Sequence, residues 1–354
     1  MKKTEKRGAK GSAKNFRRKY AAAIDKRGGV CYNTNRMNRQ SADRTAKVPK
    51  AEGGKIGQRK LNNMAKTAIV TDSNSGITQA EGKSLGVFVV PMPFLIGGEQ
   101  HYEDIDLTQE EFYQKLSEPD TTVSTSQPIV GELIDFWETV LKDYDEMVYI
   151  PMSSGLSESC NTAKALAKDF EGRVQVVDNQ RISVTQKQSV LDALVLSKRG
   201  MNAVQIKEYL EKTKMDASIY ISLATLQYLK KGGRLTPAVA AIGTILHLRP
   251  VLQIQGEKLD KFRMTTVTMK QAKQAMLDGL DSDLKGRFAD LVAEGKMALA
   301  VAHTQNPEKA EALVAELKER YPDLPVHFCD PLSLSVSSHI GPGALAVTCM
   351  RYEK

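Results

Sequence analysis

Short neutral hydroxyls gather at two places in this chain. Residues 121–128 read TTVSTSQP, with hydroxyls at five of the six positions from Thr121 to Ser126, and residues 152–157 read MSSGLS. The doublets Thr125-Ser126 and Ser153-Ser154 offer O–H donors without fixed positive charge. Each precedes or opens an expected helix, where backbone N–H groups are unpaired and favour an anion. A single serine there is an ordinary helix cap; two doublets in separate segments suggest a small anion pocket. Arg234, in LKKGGRLTP, and His339, in SVSSHIGPGALAV, could serve the same anion. Otherwise Arg234 meets a helix C-terminus, and His339 lies at the surface in a tight turn before the last strand.

Other chemistries find less support. Gly155-Leu-Ser-Glu-Ser159 begins like a nucleophile elbow but lacks the closing glycine, which leaves a serine-dependent acyl hydrolase on Ser154 or Ser157 as the alternative. No G-x-G-x-x-G follows the first strand and no Walker sequence occurs, so no nucleotide cofactor is expected. Four scattered cysteines without a C-x-x-C pair argue against zinc and suit a reducing cytoplasm. His101, His247, His303 and His327 have no ligand-spaced partner, and no metal is expected. No apolar run approaches the length of a membrane span.

The elements that must position these groups begin at residue 66. TAIVT (67–71), VFVVP (87–91) and the runs at 145–151 and 173–178 read as strands. A helix opens at Thr108, with Glu111 three residues on as a capping box. A second opens at Pro128, with Ile129, Leu133, Ile134, Trp137, Val140 and Leu141 on one face, and a third runs from Ser157 to Phe170. This rhythm predicts an α/β domain over 66–215 with a parallel sheet. Helices near 183–199 and 203–214 lead to a strand at 217–222. A hairpin through Gly256-Glu257, helices at 267–279 and 307–320, and strands at 298–302 and 347–350 then predict a second α/β domain over 216–354. In such sheets ligands collect beyond the carboxyl ends of the strands.

Residues 1–63 differ. They hold 19 Lys and Arg against 4 Asp and Glu, whereas the remaining 291 residues carry 31 basic and 38 acidic side chains, so the overall charge of +8 averages a basic tail and an acidic body. With little apolar periodicity the tail is expected to be disordered. Because Met64-Ala65-Lys66 directly precedes the first strand, the tail is read as an upstream extension before a start at Met64; the alternative is a nucleic-acid-binding arm.

Taken in order, IVTDSNSGIT, VSTSQPIVGE, YIPMSSGLSES, VQVVDN, LKKGGRLT, LRPVLQI and HIGPGALAV make residues 66–354 resemble the DegV family, the fatty-acid-binding subunits of bacterial fatty acid kinase. The resemblance implies a two-domain α/β fold with a long-chain fatty acid between the domains. Its carboxylate would be held by Thr125 and Ser154, with Ser126 and Ser153 as neighbours, and Arg234 and His339 would lie near the head group where phosphate arrives. It implies a cytoplasmic lipid-binding subunit rather than an enzyme. An ATP-dependent kinase partner would make the acyl phosphate, which feeds phospholipid synthesis through a downstream acyltransferase. Met152, Leu156 and the apolar stretch 239–252 are candidate lining. Asn179, Gln186, Lys187, Glu158 and Cys160 depart from the family's usual residues, and Glu158 is expected to face solvent.

Overall fold

A computed structural model describes residues 65–118, 121–234, 248–264 and 266–354. The tail, Met64, His247 and most of the apolar stretch 239–252 lie outside them. Lys66–Lys354 is a compact unit containing two principal sheets and a small third one.

The first sheet is parallel, as its apolar strands dictate. Its strands are β1 (Thr67–Asp72), β2 (Val87–Val90), β6 (Glu146–Ile150) and β7 (Val174–Val176), in the order β2-β1-β6-β7. Ile69, Val87, Val148 and Ile150 pack with Val190, Ala193, Ile206 and Leu210. Those last four belong to α5 (Ser183–Lys198) and α6 (Ala203–Lys212). From α3 (Val130–Val140), Trp137 sets its ring edge-on to Tyr149 at 5.6 Å. Leu133, Trp137, Val140 and Leu141 are buried as the helical period requires, but Ile129 is 41% exposed. It stands just outside the first turn, because the helix starts at Val130 rather than at Pro128. The next helix, α4, likewise begins later than expected, at Ser159, and ends at Leu166. The 152–157 segment is therefore a turn preceding the helix.

Between these elements lies a small antiparallel sheet that the residue pattern did not suggest. It orders β4 (Glu99–Tyr102), β3 (Pro93–Ile96) and β5 (Val123–Thr125) side by side, with Phe112 and Tyr113 of α2 (Gln109–Ser117) packed against Phe94 and Ile96. The hydroxyl-rich segment is thus partly a strand and not wholly a loop, with Phe94 opposite Thr125. Three residues with one apolar member carry no readable period; pairing with β3 makes this strand. The capping box at Thr108 and Glu111 is present, both reciprocal bonds being formed.

The second sheet orders β10 (Leu259–Arg263), β9 (Val251–Ile254), β8 (Ala217–Ser222), β13 (Leu345–Arg351), β11 (Met297–His303) and β12 (Val326–Pro331). It is antiparallel except where β11 meets β12. On one face Tyr220, Val251, Leu299, Val301, Val347 and Cys349 pack beneath α8 (Met269–Lys285) and α10 (Pro307–Arg320). The opposite face presents Ile219, Ile221, Ile254 and Ala346 to a second apolar cluster that includes Ile182 and Val184 at the start of α5. The helix α5 contacts strands of both sheets.

One further correction concerns SVSSHIGPG. Residues Leu334–Ile340 form a helix, α11, capped by the Ser333 hydroxyl accepting from the Val336 N–H at 3.4 Å. Gly341 ends it at φ 76°, where a Cβ would collide with the ring of Tyr228. The close approach that requires this glycine is therefore to Tyr228.

Candidate functional site

Where the loops of the first sheet face the open side of the second lies a half-open cavity of about 260 Å3. Its walls are apolar: Met152, Leu156, Ile182, Val184 and Met92 on one side, Ile219, Ile221, Ile254, Leu259 and Ala346 on the other. Met152 and Leu156 thus line it as the sequence suggested. Thr125, Ser126, Arg234 and His339 also line it, although they come from the end of β5 and the residue after it, the segment after α7 (Gln227–Lys231) and α11.

The polar group of most definite geometry is a pair. Thr125 Oγ1 and His339 Nε2 lie 2.8 Å apart across 214 residues of sequence. Two contacts set the position of His339. Its Nδ1 is buried with no hydrogen-bond partner, and it abuts Gly232, where any Cβ would overlap the imidazole. Burial, then the charge of Arg234, pushes the His339 pKa down to about 4. The ring is therefore neutral at ordinary pH and carries one N–H. Placing that proton on Nδ1 would orphan a buried donor, so it belongs on Nε2, donating to Thr125. The proton of the Thr125 hydroxyl is then free to donate to a ligand. Nearby, the exposed Arg234 holds its guanidinium by donating from Nη1 to the Gly232 carbonyl at 2.7 Å.

The small sheet brings the two partners together. Phe94 and Ile96 of β3 share an apolar cluster with Phe112 of α2 and Leu334 of α11. Glu103, half-buried beside them with its pKa pushed up to about 7 by desolvation, accepts from the Leu334 N–H at 2.8 Å. Gln109 Nε2 donates to Glu103 Oε1 at 3.1 Å and to the Leu332 carbonyl at 3.0 Å. Thus β5, which carries Thr125, and α11, which carries His339, share one framework.

Ser153 and Ser154 face elsewhere. The Ser153 hydroxyl donates to the Glu257 carbonyl at 2.8 Å and accepts from the Gly155 N–H at 3.2 Å. Ser154 meets Asp178, its backbone N–H donating at 3.2 Å and its hydroxyl also bonding there. Neither lines the cavity. Ser157 does, and its hydroxyl donates to Ser159 Oγ at 3.0 Å. Among the described residues neither Ser154 nor Ser157 is bonded to a histidine, the usual base of a serine nucleophile. Glu158 sits exposed at the cavity rim, accepting from Asn161, as expected.

Beneath the cavity loops lies a buried latch that sequence reasoning left without a role. Asp72, at the end of β1, accepts from the Met152 N–H at 2.9 Å, the Asn74 N–H at 3.0 Å and Gln186 Nε2 at 2.9 Å. Gln186 also donates to the Ile150 carbonyl at 3.1 Å. Burial raises the Asp72 pKa to about 6. Lys187, next along the helix, is paired with Glu81 at 2.9 Å and Asp330 at 2.8 Å. Both departures from small residues therefore have polar partners, buried for Gln186 and partly exposed for Lys187. Polar residues in a helix start that packs on a sheet end were the available signal.

The DegV family model matches residues 66–351. This chain belongs to the DegV family. The Bacillus subtilis protein DegV is 30% identical over 285 residues, spanning 79% of this chain and 97% of that relative. A crystal structure of DegV, a fatty acid binding protein from Bacillus subtilis, has a TM-score of 0.71 at 27% identity and covers 81% of this chain and 99% of that one. A structure on fatty acid binding of a DegV family protein from Thermus thermophilus has a TM-score of 0.72 at 27% identity, with 81% and 99% covered. The DegV fold accounts for the parallel sheet, the second sheet and their order along the chain. Among the described residues, no helix is long and apolar enough to cross a membrane.

Proposed function

We propose that this DegV protein binds a long-chain fatty acid in the cavity and presents its carboxylate at the Thr125–His339 pair. The observation that carries the reading is the union of an apolar sleeve with one well-defined polar pair at its rim. Burying about fourteen methylenes contributes roughly 11 kcal/mol at about 0.8 kcal/mol each, a large part of which is offset by ordering the lipid. The chain supplies affinity and the hydroxyls set position. Thr125 donates its free proton to one carboxylate oxygen, and Ser126, whose hydroxyl otherwise donates to the Gln127 carbonyl at 3.2 Å, turns to the other. Ser153 and Ser154, which the family resemblance assigns to the head group, act in this reading by shaping the turn against Glu257 and Asp178.

The acid is passed on, not transformed alone. A partner ATP-dependent kinase supplies the γ-phosphoryl group; a carboxylate oxygen attacks phosphorus, the bond to the β–γ bridging oxygen breaks, and ADP leaves. Neutral donors leave the carboxylate nucleophilic, while Arg234 is placed to meet charge that develops on the transferring group. His339 acts through Thr125. The acyl phosphate then serves phospholipid synthesis by way of an acyltransferase, all in the cytoplasm where ATP is present.

The test is extraction of the purified chain followed by mass spectrometry, then incubation with a fatty acid kinase and ATP. Co-purified fatty acid that becomes acyl phosphate only with the kinase is the expected result. Hydrolysis of an acyl ester by the chain alone, lost on Ser157→Ala, would replace this reading with the hydrolase.

A further inference from the structure

The sleeve contains a second polar place that the head group does not use. Ser183 is the first residue of α5, a helix of 16 residues, and its side chain lines the cavity. It is 7% exposed, and its hydroxyl has no hydrogen-bond partner among the described residues. Its φ of 56° lies in the left-handed region, which non-glycine residues adopt only at a cost. The backbone N–H groups of Ser183, Val184 and Thr185 also have no acceptor among the described residues, as the open first turn of a helix leaves them.

The wall around this place is otherwise apolar. Ile182 and Val184, on either side, belong to the same apolar cluster as Ile219, Ile221 and Ala346. Thr348, fully buried on β13 and part of the same lining, has only the weak acceptor Met350 Sδ, at 3.8 Å. A saturated hydrocarbon chain would leave these donors unsatisfied in an apolar wall.

Building on the fatty-acid reading, we infer that Ser183 and the open turn of α5 bind an oxygen carried on the acyl chain itself, so that the ligand class extends to hydroxylated long-chain fatty acids. The ligand hydroxyl oxygen accepts from the helix N–H groups and donates its own proton to Ser183 Oγ. A net hydrogen bond of this kind corresponds to a preference of about fivefold over the unsubstituted acid.

The experiment uses the full chain stripped of lipid and a displacement assay. The competitors are stearate and a series of hydroxystearates whose hydroxyl is stepped along the chain. At least one isomer is expected to bind about fivefold more tightly than stearate. The variant Ser183→Gly suits the left-handed backbone and removes only the hydroxymethyl group; in it the ratio of the two affinities should fall towards one. Ser183→Asn, also tolerant of this backbone, should retain a preference. Stearate binding with every hydroxystearate equal or weaker would overturn the inference and leave the fatty-acid reading intact. A preference unaltered by Ser183→Gly would overturn it too. Failure of stearate and all its hydroxylated analogues to bind would overturn both.

Discussion

The two principal sheets serve the cavity in opposite ways. The first contributes its ends: Asp72, the turn after β6 and the start of α5 all lie beyond parallel strands. The second contributes a face, with Ile219, Ile221 and Ala346 projecting from strands that stay paired throughout. Strand ends leave backbone groups unpaired and gather polar side chains; a strand face has every backbone group bonded and can be wholly apolar. An amphiphile site placed between an end and a face obtains both chemistries without either sheet breaking its own rules. The third sheet, small and three-stranded, supplies Thr125, and the helix α11 supplies His339, so the polar pair belongs to neither large sheet.

The comparison breaks most severely if the face is filled. Ala346→Phe should project a ring into the sleeve from β13 and cut stearate affinity at least tenfold, which is roughly 1.4 kcal/mol. Fluorescent-lipid displacement checks this, and circular dichroism verifies that the sheet survives. Damage at the ends should instead appear as lost stability. Gln186→Leu removes the donor to Asp72 and to the Ile150 carbonyl and should destabilise the protein by about 1–3 kcal/mol, read from the urea midpoint. If Gln186→Leu spared stability but abolished binding, the latch would belong to the site itself.

How far each region was legible follows from the same contrast. The strand ASIYIS and the helix PEKAEALVAELKER announce themselves through apolar runs and period, and the box of Thr108 with Glu111 needs only three residues of spacing. Thr125 and His339 were each singled out by residue type, yet their bond spans 214 positions and no local pattern encodes it. The serine doublets could not be ranked for a different reason. Ser153 is claimed by a carbonyl at Glu257 and Ser154 by Asp178, partners that only the assembled fold supplies. The tight turn offered as the alternative around His339 rested on the two glycines flanking a proline, whereas capping by Ser333 and the apolar seat of Leu334 make residues 334–340 a helix.

A smaller effect should follow pH. The folded-state pKa of His339, about 4, lies below its unfolded value near 6.5. Between these values the unfolded chain binds the extra proton, so this residue's contribution is complete above about 6.5 and is lost as pH falls towards 4. Wild type should therefore lose stability relative to His339→Gln over that interval, measured as the difference in urea midpoints. A constant difference would place the imidazole in water and dissolve the tautomer argument.

The head-group assignment is tested most directly by carbon NMR of stearate labelled at its carboxyl carbon and bound to the full chain. One sharp bound resonance is expected, still that of an ionised carboxylate at neutral pH, and Thr125→Val should move it clearly. His339→Gln should move it too, and the shifts of the double variant should not add, because both changes remove parts of one hydrogen-bonded unit. A resonance indifferent to Thr125→Val and His339→Gln but displaced by Ser154→Ala would contradict the account and put the carboxylate at the turn after β6.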